Sequence, residues 1–532
     1  MNRFLKRANA KLTVGNAAWL LSGSAFMSMF LGLWRERLLA GNVGLNNPLY
    51  SAYLTAFRVP DFMFAILTSG ALSVTFIPIL SERLGRGNRK SAWELSSSLM
   101  NFLALLTLAA SIIMIVFAAP LSKLLAPGFD GELRAHVATM MRLMSINPFL
   151  FAISSVMASM QQAVRRFFFV ALAPSVYNLC IILGVIYLYP RFGIEGVAFG
   201  VIIGAIVQLI TAASGLFGLG FAYFPKIFWK NHGFRRVLKI LPARSFDQSI
   251  DYVNNIVENN IASGISKTAV GLYQVAFNLH AVPINLIGVA ISTAAFPQMT
   301  ERINQGRPDL FKKELLNVLR IIIWLALPVS SIAYFGRGYL VRLVTGQGNK
   351  IVASLVGLLV VSIFFRSIFH IMSRVYYAHH DTKTPLKISI FSIILNIVLA
   401  ITLTRPGAYG IQGLAIAQSL TALVEVSILI TVLARRYPGF FSMSFLTGVL
   451  RMISATGLMS FVLYALIRVL PLRVSDKGLF SLLPKFSIIV GVSMIVYVLI
   501  SAIFKLREAD PIIKRVKRAI FFQAKPETPV SS

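Results

Sequence analysis

Apolar runs of about 20 residues follow one another along the whole chain, with only short polar segments between them. An α-helix of that length is enough to cross the hydrocarbon core of a bilayer. The pattern predicts an all-α polytopic membrane protein with about 14 transmembrane helices. We place the spans near residues 14–40, 52–80, 93–119, 136–160, 169–189, 194–220, 245–265, 270–298, 315–336, 351–375, 386–404, 411–433, 447–467 and 486–504.

Short motifs recur at an offset of about 220 residues and divide the chain into two halves. Spans one to six therefore match spans seven to twelve, and spans thirteen and fourteen are additional. An even number of spans in each repeat predicts two six-helix lobes related by a pseudo-twofold axis along the membrane normal, with a central site between them. The paired motifs are Tyr53–Phe57 with Tyr273–Phe277, Ser81–Arg83 with Thr300–Arg302, and Phe192–Gly196 with Tyr409–Gly413.

The repeat sets the expected domain boundaries. The N-lobe is predicted to hold the first six helices and the C-lobe the next six, followed by two C-terminal helices. Basic segments separate the lobes and end the chain. The predicted ranges are 1–220 for the N-lobe, 221–244 for a cytoplasmic linker, 245–435 for the C-lobe, 436–505 for helices thirteen and fourteen, and 506–532 for a cytoplasmic tail.

Charge adds the expected orientation. The chain has 51 Lys and Arg against 19 Asp and Glu, a net charge of +32. With both termini in the cytoplasm, the inner segments hold more than twice as many Lys and Arg as the outer loops, as the positive-inside rule requires. These residues lie on many short loops, which indicates contact with anionic membrane lipids. We expect no nucleic-acid partner, because no folded domain would present them.

Three arginines lie within the first two spans, where charge is costly. Arg35 and Arg37 stand near the end of the first span, and Arg58 opens the second beside Pro60. Ionisable groups at such depth usually face a protein interior or a wet cavity. The alternative is snorkelling, in which a long basic side chain near a helix end reaches the headgroups.

Span seven has an acidic face. Asp247, Asp251, Asn254 and Glu258 are spaced at i, i+4, i+7 and i+11, which places them on one side of a helix. The carboxylates are candidates to neutralise cavity arginines when no substrate is bound, or to take up a coupling cation or proton. The alternative is an interfacial helix whose acidic side faces water at the inner surface.

The polar loop after span ten holds two adjacent histidines, His379 and His380. Neighbouring residues point apart on a helix and no further His or Cys lies nearby, so we expect no metal site. In the plain interpretation, Asp381 or Thr384 caps the next helix and Pro385 occupies its first turn.

The same loop, Tyr376–Lys387, has the form aromatic-Tyr-x-x-x-Asp-x-Lys-Thr-Pro-x-Lys, with Lys383, Thr384 and Pro385 at its centre. It closely resembles the signature of the MurJ (MviN) family, the lipid II flippases of the MOP transporter superfamily. The resemblance extends over most of the chain. Further similar stretches are Ser28 with Leu31–Gly32 and Arg35, Ala56–Pro60, Phe76–Leu80 and Ala126–Phe129.

The resemblance implies a bacterial inner-membrane flippase that turns a polyprenyl-diphosphate-linked peptidoglycan precursor outward by alternating access. It implies cell-wall synthesis machinery as a further partner. Arginines of helices one, two and eight would hold the diphosphate, and a groove at the last two helices would hold the lipid tail.

Several cavity charges of that family are replaced here. Only Arg35 and Arg58 keep theirs, and fewer guanidinium groups should weaken or retarget diphosphate binding. Other basic residues could substitute, among them Arg142 and the span-ten face of Arg366, His370 and Arg374. The replaced positions are Met29, Ser51, Phe64, Ala65, Ser69 and Asn278. The candidate substrate-binding residues are Arg35, Arg58, Arg37, Asn278 and Arg366.

We therefore predict a transporter, not an enzyme, that uses no cofactor. No Gly-rich phosphate loop followed by Lys-Ser or Lys-Thr is present, so the sequence gives no sign of nucleotide-driven transport. One alternative is a MOP-type exporter of another lipid-linked oligosaccharide or amphiphilic solute, and another is a non-transporting scaffold for envelope enzymes. A membrane glycosyltransferase would be expected to carry acidic residues in its loops, where this chain is mostly basic.

Overall fold

The structure is a computed structural model. It describes Asn9, Lys11, residues 13–69, 75–437 and 441–473, Asp476, and residues 478–511 and 513–514, apart from the side chains of Val14, Ala18, Ser69 and residues 243–244 and 246–248. Every regular element in these residues is helical. The predicted all-α class is confirmed.

Twelve helices in the described residues are long and apolar enough to cross a membrane. They correspond to predicted spans one, three to six, and eight to fourteen, so the chain is a multi-pass membrane protein. They are Gly15–Asn42, Arg89–Leu125, Gly131–Ala163, Phe168–Phe192, Ile194–Ser214, Ala269–Asn304, Pro308–Phe335, Lys350–Ala378, Lys383–Leu403, Ile411–Arg436, Met443–Val469 and Leu479–Ile503.

Predicted spans two and seven are not among the twelve. The second consists of short helices, and residues 70–74 within it lie outside the described residues. The seventh lies in a continuous helix, His232–Ile265, which is too polar along its length to meet the same standard. The apolar pattern predicted fourteen spans, and the structure shows twelve of them as long apolar helices within the described residues.

Contacts among the helices divide the chain into two units. The first is Met1–Val275 with Val344–Gln347 and Ala400–Leu414, and the second is the remainder, beginning at Ala276. These units record which segments touch. The predicted lobe boundaries and the pseudo-twofold axis stay predictions.

The helices that lie wholly or mainly in the first unit are numbered α1 to α11. They are α1 (Val14–Asn42), α2 (Pro48–Ala56), α3 (Arg58–Phe64), α4 (Ile77–Gly85), α5 (Arg89–Leu125), α6 (Gly131–Met144), α7 (Asn147–Ala163), α8 (Phe168–Leu183), α9 (Tyr189–Phe192), α10 (Ile194–Ser214) and α11 (His232–Ile265).

Helix α12 crosses the boundary between the units, and the rest follow it. They are α12 (Ala269–Pro283), α13 (Ala290–Asn304), α14 (Pro308–Phe335), α15 (Arg337–Thr345), α16 (Lys350–Ala378), α17 (Lys383–Leu403), α18 (Ile411–Arg436), α19 (Met443–Val469) and α20 (Leu479–Ile503).

Helix starts follow ordinary capping chemistry. The Asn47 side chain accepts the Leu49 N–H before α2, and the Asn88 side chain accepts the Ser91 N–H before α5. Each supplies an oxygen to a backbone N–H that has no partner within its own helix. A polar loop side chain therefore caps the start of α2 and of α5.

Two wider, π-helical turns occupy related positions in the repeat. Ala65–Ser69 follows α3, and Ile284–Val289 joins α12 to α13. The two turns are separated by the repeat offset of about 220 residues. A π turn accommodates one extra residue, and such turns often occur at functional sites. The repeat is therefore visible in backbone geometry as well as in motifs.

Two repeat-related glycines make equivalent close contacts. A Cβ on Gly196 would lie 2.3 Å from the Leu188 carbonyl oxygen, and a Cβ on Gly413 would lie 2.4 Å from the Leu403 carbonyl oxygen. No side chain fits at either position. The motif pair Phe192–Gly196 and Tyr409–Gly413 thus encodes the same tight turn between consecutive helices.

Each unit has its own apolar core. In the first unit, buried Phe76, Leu80, Trp93 and Phe234 pack α4, α5 and α11 together. In the second, the largest cluster includes Phe311, Trp324, Tyr376 and Tyr497. The Trp324 indole N–H donates to the Ser501 hydroxyl, which satisfies a polar group inside that core.

Candidate functional site

Arg58 is a cation of the first unit with two side-chain hydrogen-bond partners. It begins α3, and its Nε donates to Asn259 Oδ1 at 3.2 Å. Its Nη2 donates to Gln274 Oε1 at 2.6 Å. Both acceptors are neutral amide oxygens, so the guanidinium is held in place, and no carboxylate of the described residues forms a salt bridge with it.

Asn259 is itself firmly positioned. It is almost fully buried on α11, and its Nδ2 donates to the Leu125 carbonyl oxygen at 3.0 Å. The Thr55 hydroxyl donates to Asn259 Oδ1 at 3.4 Å. A Cβ on Gly128 would lie 2.1 Å from the Ser263 carbonyl oxygen, so α11 approaches the loop after α5 without intervening side chains. This close approach brings Asn259 to Arg58.

Arg35 also has a neutral partner. Its Nη1 donates to Asn178 Oδ1 at 3.2 Å, and Asn178 Nδ2 donates to the Ser28 hydroxyl at 3.2 Å. Asp61 is exposed and lies within electrostatic range of both Arg35 and Arg58. The structure therefore brings Arg35, Arg58 and Asp61 into one charged group, which we call the arginine cluster.

Arg37 lies elsewhere on α1. Its guanidinium carbon is 3.7 Å from the position a Cβ would take on Gly346, and Arg37 is not among the charges acting on Asp61. Between the two arginines, Glu36 is buried and accepts a hydrogen bond from the Tyr50 hydroxyl. The structure thus separates Arg37 from the arginine cluster.

The acidic face of span seven is only partly associated with this cluster. Glu258 is buried on α11, accepts from Asn254 Nδ2 at 3.1 Å, and acts electrostatically on Arg58. Asp251 is exposed. The side chain of Asp247 lies outside the described residues. Of the two predicted carboxylates whose side chains the structure describes, Glu258 is the one that acts electrostatically on Arg58.

The replaced family positions have become packing positions. Ser51 is fully buried, and its hydroxyl accepts the Gly271 N–H at 3.0 Å. The Phe64 ring packs edge-on against Phe151 with 5.7 Å between centroids. Ala65 is buried. Neutral contacts hold helices together where the resemblance implies charges.

Arg366 in the second unit is held differently. Its Nη1 lies 2.8 Å from Glu425 Oε2, and the Ser389 hydroxyl donates to Glu425 Oε1 at 3.0 Å. The Glu425 side chain is only 2% exposed, and the Arg366 guanidinium lies over the Phe369 ring. Arg366 is therefore one half of a shielded ion pair.

The remaining second-unit candidates have local partners. Arg374 Nε donates to the Ser292 hydroxyl at 3.0 Å and its Nη2 donates to the Thr293 hydroxyl at 2.7 Å. Asn278 is half-buried on α12, two residues before His280, which is buried. The structure does not bring Arg374 to the Arg366 and Glu425 pair, although Arg366 and Arg374 were predicted on one face of span ten.

The signature loop is a helix-capping device. Thr384 donates twice to Asp381, from its backbone N–H at 3.0 Å and from its hydroxyl at 2.7 Å, and Arg436 Nη2 donates to the same carboxylate at 2.6 Å. Burial raises the pKa of Asp381, but these hydrogen bonds and the Arg436 charge outweigh it and lower the pKa to about 2. Lys383 is exposed and Pro385 is buried in the first turn of α17.

The adjacent histidines of that loop are used separately. His379 Nδ1 lies 2.8 Å from the Val375 carbonyl oxygen, and its Nε2 is hydrogen-bonded to the Tyr437 hydroxyl. Its ring packs edge-on against Phe311. His380 adopts a left-handed backbone conformation with φ of 58°, as the chain turns toward α17.

Four important partners escaped sequence reasoning. Asn178, Asn259 and Gln274 are neutral amides, and no period or motif distinguishes them. Glu425 did carry a signal, because it is an isolated carboxylate within an apolar run. An acidic residue inside span twelve would have supported the prediction of an ion pair with Arg366 from the sequence.

Comparisons with known proteins give consistent results. A family model described as lipid II flippase MurJ matches residues 45–477. A probable lipid II flippase MurJ of Thermotoga maritima is 26% identical over 497 residues, covering 92% of this chain and 96% of the relative. One from Borreliella burgdorferi is 23% identical over 419 residues, covering 78% and 82%.

Solved structures resemble the fold. The lipid II flippase MurJ in an inward closed conformation aligns with a TM-score of 0.76 at 23% identity, covering 91% of this chain and 98% of that one. An inward-facing multidrug resistance MATE family transporter of the MOP superfamily aligns with a TM-score of 0.63 at 16% identity, covering 77% and 96%.

Proposed function

This chain belongs to the lipid II flippase MurJ family, and we propose that it moves lipid II, a polyprenyl-diphosphate-linked peptidoglycan precursor, across the bacterial cytoplasmic membrane by alternating access. The family is one of transporters, so the proposed activity is movement of a molecule and not its chemical conversion. Both termini are proposed to lie in the cytoplasm, from the distribution of Lys and Arg.

The observation that carries this proposal is that both hydrogen-bond acceptors of Arg58 are neutral amides. Amide oxygens of Asn259 and Gln274 hold the guanidinium in a fixed orientation. A diphosphate oxygen carries charge, and charge-assisted hydrogen bonds are roughly twice as strong as neutral ones. A diphosphate can therefore replace an amide oxygen at Arg58 with a net gain, and Arg35, with its own amide partner Asn178, is proposed to bind in the same way.

Glu258 is proposed to act as the counter-charge for Arg58. It is buried and acts on Arg58 electrostatically. Without substrate it would balance the guanidinium charge, and with a diphosphate bound it would be repelled, so that the two states differ in electrostatic energy. Asp251 and Asp247 stay candidates for the same role or for binding a coupling cation or proton.

The other candidates have weaker support. Arg366 would have to leave Glu425 to meet a phosphate, and Arg37 lies apart from the arginine cluster. Asn278 offers an amide where the resemblance implies a cation. We keep all three as secondary substrate contacts.

A second candidate function follows from the replaced charges. Ser51 and Phe64 form neutral packing contacts where the family has charged residues, and the chain shares its fold with a MATE family transporter. These observations favour, as the alternative, export of another lipid-linked oligosaccharide or an amphiphilic solute. Anionic lipids and cell-wall synthesis machinery are proposed as further partners.

Complementation of a bacterial strain depleted of its own lipid II flippase tests the proposal. Rescue by the wild-type chain is expected, while Arg58→Ala should abolish rescue and Arg58→Lys should restore little, because ammonium lacks the planar fork of guanidinium. Arg405→Ala is the control, since Arg405 is exposed in the loop between α17 and α18 and makes no side-chain hydrogen bond or ion pair among the described residues. Failure of a well-expressed wild-type chain would favour the alternative cargo or a scaffold role.

Labelling of introduced cysteines tests the role of the acidic face. In a background with Cys180 replaced, Glu258→Cys should be protected from a water-soluble maleimide, while Asp251→Cys should react readily, because Glu258 is buried and Asp251 is exposed. Addition of lipid II should change the labelling rate at 258. Equal rates at both positions with and without lipid II, together with normal transport by Glu258→Gln, would reject the counter-charge role.

A further inference from the structure

A basic cavity of about 490 Å³ lies in the first unit, at the end of α4 and the start of α11. It is separate from the arginine cluster, which involves α1, α3 and the later part of α11. The charged residues that line it are Arg83, Arg86, Arg236 and Glu82, and the first two residues of α11, His232 and Gly233, also line it.

Arg83 is fixed at the centre of this cavity. Its Nη1 donates to the Ser91 carbonyl oxygen at 2.9 Å and its Nη2 donates to Asn231 Oδ1 at 2.9 Å. Gly233 lies directly beneath it, because a Cβ there would be 2.5 Å from Nη2. Asn231 also accepts the N–H groups of Gly233 and Phe234. The guanidinium is thus seated against the N-terminus of a 34-residue helix.

Positive charge exceeds negative charge at the cavity lining. Glu82 pairs with Arg86 at 2.8 Å on the exposed side, and Glu94 acts on Arg83 from behind the lining. Arg236 is exposed and makes no ion pair within the described part of the chain. Guanidinium groups and a helix N-terminus both attract phosphate oxygens. The cavity is therefore built for an anion.

The loop before α11 indicates where the cavity lies relative to the membrane surface. Tyr223 and Trp229 are 52% and 54% exposed, while Phe221 and Phe224 pack against the buried cluster of the first unit. Exposed Tyr and Trp beside apolar anchors are typical of the membrane–water interface. Trp229 is only two residues before Asn231, and Ile79 gives the cavity an apolar edge.

We propose that this basic cavity binds the phosphodiester headgroup of an anionic phospholipid. Arg83 and Arg236 contact the phosphate, the positive end of the α11 dipole favours its charge, and the acyl chains leave along the apolar edge at Ile79. This site is independent of the cargo that the chain moves.

The repeat supplies a matched control for this site. Arg302 corresponds to Arg83, but its Nη1 donates to Gln305 at the end of its own helix. Gln305 in turn donates to Glu301 at 2.9 Å. Arg302 therefore has the same sequence context, but its printed partner lies at the end of its own helix and not at the start of another.

Native mass spectrometry of the purified full-length chain in detergent tests the proposal, with dioleoylphosphatidylglycerol as the probe and dioleoylphosphatidylcholine as the neutral comparison. Since each basic residue near a membrane surface contributes about 1 kcal/mol to anionic lipid binding, Arg83→Gln and Arg236→Gln should each weaken phosphatidylglycerol binding about fivefold. Arg302→Gln should leave it unchanged. Because Arg236 is exposed and has no structural hydrogen bond among the described residues, its variant is informative even if Arg83→Gln folds poorly.

Three outcomes would overturn the assignment. One is an equal loss in Arg302→Gln, which would mean a general charge effect. Another is unchanged binding in Arg236→Gln. The third is displacement of the lipid by glycerol 3-phosphate at equal concentration, which would mean that the cavity takes a soluble phosphate instead of a lipid headgroup.

Discussion

Two arginines inside this protein are held by opposite kinds of partner. Arg58 in the first unit donates to the amide oxygens of Asn259 and Gln274, whereas Arg366 in the second unit is paired with the carboxylate of Glu425. An amide oxygen orients a guanidinium but leaves its charge available. A carboxylate both orients and neutralises it.

The difference teaches which arginine can exchange partners. A phosphate that replaces an amide at Arg58 gains charge and loses only a neutral hydrogen bond. A phosphate that replaces Glu425 at Arg366 would leave a buried carboxylate without its cation, which is costly. We therefore assign the primary anion exchange to Arg58, keep Arg366 as a secondary contact whose pair with Glu425 also stabilises the second unit, and test this contrast with four predictions.

The largest effect is expected from breaking the second-unit pair. Glu425→Leu should lower the free energy of unfolding by about 3–5 kcal/mol, because the Arg366 charge is left without its partner in a shielded site. Thermal unfolding in detergent measures it. The double variant Arg366→Met with Glu425→Leu should regain most of the loss, and a double variant as unstable as the single one would contradict the pairing argument.

The next prediction tests whether the close approach at Gly128 is needed to position Asn259 beside Arg58. Gly128→Ala would place a Cβ 2.1 Å from the Ser263 carbonyl oxygen, so α11 must shift, at a cost of about 1–3 kcal/mol in unfolding free energy. Gly131→Ala is the matched control in the same loop region, since a Cβ there meets nothing within 4 Å. Similar melting temperatures for the two variants would show that the close approach is not needed.

A third change makes Arg58 resemble Arg366. Gln274→Glu is nearly isosteric and replaces the amide oxygen 2.6 Å from Arg58 Nη2 with a carboxylate oxygen. The new ion pair should compete with phosphate and weaken lipid II binding about tenfold, because a charge-assisted bond adds roughly 1–1.5 kcal/mol. Binding of fluorescent lipid II to the purified variant measures this. Unchanged affinity with unchanged stability would remove Arg58 from the proposed site.

The smallest effect is expected at a second ion pair of the second unit, which is more exposed to solvent than the pair of Arg366 and Glu425. Asp381 and Arg436 are 21% and 42% exposed, so Asp381→Asn should cost only about 0.5–1 kcal/mol. Because folding lowers the pKa of Asp381 to about 2, the carboxylate's contribution is complete above its ordinary pKa near 3.8 and declines as the pH falls through about 2. The difference in melting temperature between wild type and variant should be constant from about pH 7 to pH 5.

The features that could be predicted from the sequence are those that recur along the chain as apolar runs or motifs. Twelve spans, the helical class and the family likeness were all available from runs and motifs, because lipid imposes a uniform composition on a spanning helix. Spans two and seven were predicted from the same pattern, but they are not among the twelve long apolar helices of the described residues. They carry Arg58, Asp61, Asp251 and Glu258, and a helix with a polar face no longer resembles an isolated lipid-facing span.

The candidate site was only partly accessible from sequence. Arg58 and Glu258 stood out because charge in apolar sequence is rare, and the structure places the two near each other. Asn259 and Gln274 did not, since a neutral amide has the same appearance whether it faces water or holds a cation. Arg37 was grouped with Arg35 by proximity in sequence, but residues two apart on a helix point in nearly opposite directions.

The π turn at Ile284–Val289 determines the directions in which the side chains of the following helix, α13, point. One residue more in that turn rotates the next segment by about 100° relative to an uninterrupted α-helix. Ser292 and Thr293, which receive the Arg374 guanidinium, follow this turn, so the direction of their hydroxyls depends on that rotation. The extra residue thus works as an angular spacer, and its length, more than the identity of its side chains, decides which hydroxyls Arg374 can reach.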